Sequence, residues 1–158
     1  MSPQETAARM TEKLARDLVL ALKATPLEKL DWKPEGLGRS IVDQLTECVG
    51  ANVKWTCIFQ ERAYRNPTEA EWEASTDGLI TPEALAERLI ASADTLATAL
   101  RALDGTFVAM QIPGTSRTWA EACFHPYWNM AYHEGQLAFI QTLYGDTEEH
   151  ADSGPSGE

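Results

Sequence analysis

A chain of 158 residues, 44% hydrophobic and 23% charged, is long enough to fold as one domain around its own core without disulfide or metal staples. Its 24 acidic residues outnumber 13 basic ones, and the resulting net charge of −11 excludes a broad contact surface for nucleic acid or anionic lipid, since both need clustered Lys and Arg. No apolar run approaches the length of a membrane span and the opening Met1-Ser2-Pro3-Gln4-Glu5 lacks the regions of a secretory signal, so a cytoplasmic location is expected.

In chain order, the first helix is predicted from about Gln4 to Lys23, where Met10, Leu14, Leu18 and Leu22 recur at four-residue steps and Pro26 stops the run. Leu30 to Gly38 holds two glycines and a proline, which forbid helix; Trp32 and Leu37 are expected to pin this loop to the core. A second helix opens at Ser40, with Asp43 three residues on in a capping-box variant, and continues to about Arg62 through Ile41, Leu45, Cys48, Trp55 and Phe59. Thr81, Pro82 and Glu83 then supply N-cap, first helical position and first-turn charge for a third helix. Leu85, Leu89, Leu96, Leu100 and Leu103 share one of its faces, and Asp104-Gly105 ends it. Phe107 to Ile112 reads as a short extended segment or a crossover. The last helix starts near Thr118 or after His125 and runs to Gly145, with Pro126 either sitting in a first turn or kinking it. Residues 146–158 are acidic and rich in Gly and Ser, so a disordered tail is expected, in which His150 plays no part in a site.

Four long helices imply an all-α four-helix bundle over 1–145, and bundles build polar sites between facing helices. Asn129 and His133 lie four apart and so share a helix face. Glu47 sits among apolar neighbours on the second helix, where a carboxylate is costly unless paired, protonated or bound to metal. Glu47, Asn129 and His133 are therefore candidate metal ligands. His125, one turn before Asn129, would join that face on an unbroken helix as a fourth ligand. Trp32, Trp55, Trp128 and Tyr132 are candidate pocket walls, with an ordinary core role as the alternative. Cys48, Cys57 and Cys123 are odd in number and lack C-x-x-C spacing, so buried reduced thiols are expected rather than a disulfide framework or a zinc knuckle. Neither a G-x-S-x-G elbow nor a phosphate-binding loop is present.

The order Leu30-Asp31-Trp32-Lys33-Pro34, then Gly38-Arg39-Ser40-Ile41 opening a helix, then His133-Glu134-Gly135-Gln136 late in the chain resembles the DinB-like (YfiT-type) superfamily of metal-dependent bacterial enzymes. The resemblance spans the first helix to Gly145, and its motifs are specific in combination rather than singly. It implies an up-down-down-up bundle, often a homodimer, with a divalent zinc- or nickel-like ion held by three histidines. The corresponding positions here are Glu47, Asn129 and His133, so one imidazole of three is kept. It also implies a transferase that uses a low-molecular-weight thiol, with the metal lowering the thiol pKa. The alternative is a non-catalytic small-molecule-binding or dimeric interaction protein with a degenerate metal site.

Overall fold

The structure, a computed structural model, describes residues 1–152 and contains, among them, seven α-helices, two 3-10 turns and no strand. α1 (Pro3–Ala24) begins where the Ser2 side chain accepts from the Glu5 amide, and Leu14, Leu18 and Leu22 of its apolar stripe are buried. Its sequel to residue 40 contains the 3-10 turns Leu27–Lys29 and Pro34–Gly36. Trp32 anchors this link as expected, packing on the core with its ring edge-on to Tyr144 at 6.2 Å. Leu37 does not: it is 71% exposed, because Glu35 and Gly36 both adopt positive φ and turn the chain outward.

α2 (Ile41–Glu61) starts on a complete capping box, Ser40 with Asp43, and ends with Arg62 in the left-handed conformation. α3 (Glu69–Thr76) is a helix that the apolar pattern did not announce. It has its own capping box, Thr68 with Glu71, and one large apolar anchor, the Trp72 ring, which lies so close over Gly50 that a Cβ there would come within 2.4 Å of it; Arg65 pairs with Glu71 and Arg88 donates to the Ser75 carbonyl. α4 (Pro82–Arg101) begins at the Thr81 cap.

Asp104 does more than end α4. Its carboxylate accepts from the Phe107 amide at 2.7 Å and so starts α5 (Gly105–Ala109), which corrects the extended reading of this stretch. After it Met110 is extended, and Gln111 forms an isolated bridge with Thr118. Both proposed starts of the last helix are used: α6 (Trp119–Ala122) opens on a Thr118–Glu121 capping box, and α7 (His125–Leu143) follows with Pro126 in its first turn, where the missing N–H costs nothing.

α1 and α2 each pack against both α4 and α7, which makes a four-membered bundle of the long helices. Side-chain contacts fix their directions. The Gln4 amide reaches the Leu103 carbonyl and Arg101 pairs with Glu5, so α1 and α4 are antiparallel. Leu45 shares a core cluster with Leu85 and Leu89, and Phe59 another with Leu96 and Leu100, so α2 runs parallel to α4. Gln44 meets His133 while Trp55 meets His125, so α2 and α7 are antiparallel. No helix among the described residues is long and apolar enough to cross a membrane.

Of the expected tail, 153–158 lies outside the described residues. Before it, the Asp146 carboxylate meets His150 at 2.8 Å, and the Asp152 amide donates to the buried Asp17 carboxylate on α1 at 3.0 Å.

Candidate functional site

A buried histidine must spend its ring nitrogens on named partners, and the partners of His133 define this site. The side chain is 1% exposed on the α2-facing side of α7. Nδ1 meets the Gln44 side-chain oxygen from α2 and the Gln136 side-chain oxygen, at 3.0 Å, one turn further along α7. Two carbonyl oxygens on one nitrogen require that nitrogen to carry the proton. Gln136 is itself oriented, since its amide nitrogen donates to the Tyr132 hydroxyl at 3.0 Å.

Nε2 is left with a lone pair. It lies 3.3 Å from Glu47 Oε1 and makes no hydrogen bond. Burial holds the imidazole pKa below its ordinary value, an effect that the Arg39 charge reinforces and the Gln136 contact opposes. Two acceptor atoms therefore face each other across a short gap, an arrangement that attracts a cation or a proton between them. Glu47 is one-third exposed and engages Arg39 through its second oxygen, Oε2. Thus the carboxylate divides its two oxygens, one to a guanidinium at the rim and one to the imidazole within.

Asn129 stands one turn before His133, and its Oδ1 is buried without a hydrogen-bond partner. The structure thus brings Glu47 and His133 together and leaves Asn129 as an unsatisfied acceptor on the same helix face. His125 is not part of this group. α7 is unbroken, but two turns separate His125 from His133, and its ring lies on Trp55 with centroids 4.9 Å apart.

A donor set of this kind fits a divalent ion in one respect and opposes it in another. Ligand atoms about 2.0–2.1 Å from a tetrahedral ion sit roughly 3.3 Å from each other, the spacing of Nε2 and Oε1. Against it, among the described residues no three His, Cys, Asp or Glu side chains cluster as a metal site, so the third protein donor would be the Asn129 carboxamide. Cys48, beside Glu47 in sequence, turns into the core, where burial raises its pKa far above the usual range, and Cys123 is pushed up to about 12 for the same reason; Cys57 is partly exposed rather than buried as expected.

An open cavity of about 530 Å³ reaches the partners of Glu47 and His133, while Glu47, Asn129 and His133 themselves are not in its lining. Arg39, Gln44 and Gln136 form its polar corner; Trp32, Leu37 and Phe139 are prominent in its apolar wall. Of the four candidate wall aromatics, Trp32 alone lines this cavity. Trp55 lies at the other end of α2, and Trp128 and Tyr132 are on the outer face of α7, 61% and 54% exposed and stacked on each other. Sequence reading did not single out Gln44, Gln136 or Arg39 as parts of the site. Gln136 carried a signal, being three residues from His133 on one helix; Gln44 carried none, since 89 residues separate it from its partner.

Comparison with protein-family models, with curated proteins and with solved structures finds no match to this chain.

Proposed function

We propose that the chain is a metal-assisted transferase of the DinB-like kind, acting with a low-molecular-weight thiol on a small apolar molecule seated against Trp32, Leu37 and Phe139. The observation that carries this reading is the unprotonated Nε2 of His133 facing Oε1 of Glu47 at 3.3 Å, with their partners Arg39, Gln44 and Gln136 lining an open cavity. The helix directions also agree with the up-down-down-up order that the resemblance implies. Glu47, His133 and the Asn129 oxygen would hold the ion. A divalent cation there would act as a Lewis acid and stabilise a thiolate, the nucleophilic form of a thiol.

The protein's own groups do the rest. Gln44 and Gln136 fix the imidazole tautomer, so the lone pair always points to the carboxylate. Arg39 balances the second carboxylate oxygen and gives the cleft mouth a positive group able to meet an anionic end of the thiol. With Cys48 turned into the core, the attacking sulfur has to come from solution. The exposed face of α7, with Trp128, Tyr132, Phe139 and Leu143 on successive turns, supports a homodimer.

One observation favours the second reading, a metal-free binding protein: the Arg39 guanidinium already neutralises Glu47. Equilibrium dialysis against zinc and against nickel, followed by elemental analysis, separates the two. Near-stoichiometric retention by the parent, lost in both Glu47→Gln and His133→Gln while their folds persist by circular dichroism, is the expected result. A folded parent that retains neither ion would leave the metal-free reading.

A further inference from the structure

Two turns along α7 from His133, about 12 Å at the rise of a helix, a second and more enclosed cavity of about 430 Å³ shares no lining residue with the first. Its size falls within the usual range for small-molecule sites. Trp55 and Tyr64 form an aromatic side, their rings 6.0 Å apart and edge-on, and Ile112 and Pro113 close the opposite apolar wall. Trp55 is 5% exposed and fixed by its contacts with Phe59 and His125.

The polar groups of this cavity are few and one-sided. His125 Nδ1 is buried with no hydrogen-bond partner, an expense that a bound acceptor or donor would remove. Arg117 lines the same space, and its guanidinium makes no hydrogen bond or ion pair among the described residues. Ser116 adds a hydroxyl beside it. Glu121, the acidic group in the lining, is occupied: its carboxylate accepts from the Thr118 amide at 2.6 Å and the Thr118 hydroxyl at 2.9 Å. Lys54, nearby, is held by Asn66 at 2.9 Å, so it adds positive potential without a competing anion. Arg117 and the ionised Glu121 both line the cavity, but only the carboxylate has hydrogen-bond partners, so the guanidinium is the charged group left to meet an anion.

The segment that presents Arg117 is also held in place. The Ile112 amide donates to the Arg117 carbonyl at 2.9 Å, the Trp119 amide to the Met110 carbonyl at 3.0 Å, and the Thr115 hydroxyl to the Ile112 carbonyl at 3.1 Å. Backbone so tied loses little freedom on binding.

We propose that this cavity binds a small aromatic carboxylate, its ring against Trp55 and Tyr64 and its carboxylate on Arg117, beside His125. A flat ring matches the aromatic side, and the carboxylate supplies an acceptor to a guanidinium that otherwise has none. The site is independent of the Glu47–His133 group and of the function proposed for it.

Benzoate is the probe, titrated into the full chain by calorimetry and by nuclear magnetic resonance of the indole and imidazole groups. Saturable binding that shifts His125 and Trp55, weakened about tenfold or more in Arg117→Gln through loss of a charge-assisted hydrogen bond, is the expected result. Benzyl alcohol, with the same ring and no charge, should bind at least tenfold more weakly than benzoate to the parent, and His133→Gln should bind benzoate as the parent does. Absence of saturation, equal binding of benzyl alcohol, or shifts confined to His133 and Trp32 would each overturn the proposal. So would an Arg117→Gln protein that is folded by circular dichroism and binds benzoate undiminished.

Discussion

The seam between α1 and α4 and the seam between α2 and α7 belong to one bundle but differ in what they bury. Along α1–α4 the interior is mainly Ala7, Ala8, Leu14 and Leu18 against Leu89, Leu96 and Leu100, although α1 also buries Asp17 and unpartnered oxygens of Gln4 and Thr11, and at the rim Arg101 pairs with Glu5 at 3.0 Å and Glu12 at 2.6 Å. Along α2–α7 the interior carries Gln44, Asn52 and His133, with the Asn129, Asn52 and His133 side chains each leaving a buried polar atom unpartnered. Each such atom costs on the order of 1–3 kcal/mol. A bundle that sets mostly leucine and alanine in one seam and a histidine facing a carboxylate in the other has placed more of its stability in the first and its chemistry in the second.

The largest test of that contrast is Leu100→Ala. Leu100 is fully buried on α4, so its truncation should cost about 2–5 kcal/mol by lost transfer energy and a residual cavity. Urea denaturation checks the loss, and ion retention by the folded variant should be unchanged. A variant that stays stable but no longer retains an ion would dissolve the division between seams.

The pH dependence of stability gives a smaller effect from the other seam. His133 and His125 both have pKa values lowered, first of all by burial. In the unfolded chain each imidazole takes up a proton near pH 6.5, while in the folded protein it does so only at lower pH. Their contribution is thus fully present above about pH 6.5 and is lost as pH falls towards the folded values, because the unfolded state then binds more protons. Urea midpoints should decline between about pH 7.5 and 5.5, and His133→Gln should flatten that decline. An unchanged slope would show that folding does not shift the His133 pKa, and a steeper decline would show an imidazolium already paired with Glu47.

Arg39→Gln should change stability least, within about 1 kcal/mol, because both members of its pair with Glu47 remain solvated. Its effect belongs to affinity instead. With the competing guanidinium gone, the variant should retain zinc or nickel more tightly in equilibrium dialysis than the parent; weaker retention would mean that Arg39 orients the carboxylate rather than competing for it.

How much of this was legible beforehand varied with the range of the signal. The four long helices were readable because caps and apolar spacing are local: Ser40 with Asp43, and Thr81 before Pro82, mark their starts within four residues. α3 escaped although Thr68 and Glu71 spell the same capping box, because a helix whose one large apolar anchor is Trp72 carries no apolar stripe to notice. Asp104-Gly105 was read as an ending when it also caps α5, since an Asp that closes one helix has the same chemistry as one that opens the next. Leu37 was assigned to the core by its side chain, and the positive φ values before it decided otherwise.

Residue types and spacing by themselves determined the helical class, the helix starts and the placing of Glu47, Asn129 and His133 on bundle helices, since propensity, capping and periodicity act within a few residues along the chain. Only the tertiary structure decided which nitrogen of His133 carries the proton, that Arg39 shares Glu47, and that His125 belongs to a separate cavity with Trp55 and Arg117. These facts depend on how α2 and α7 are set against each other, and side chains 89 residues apart meet through packing that no local pattern encodes.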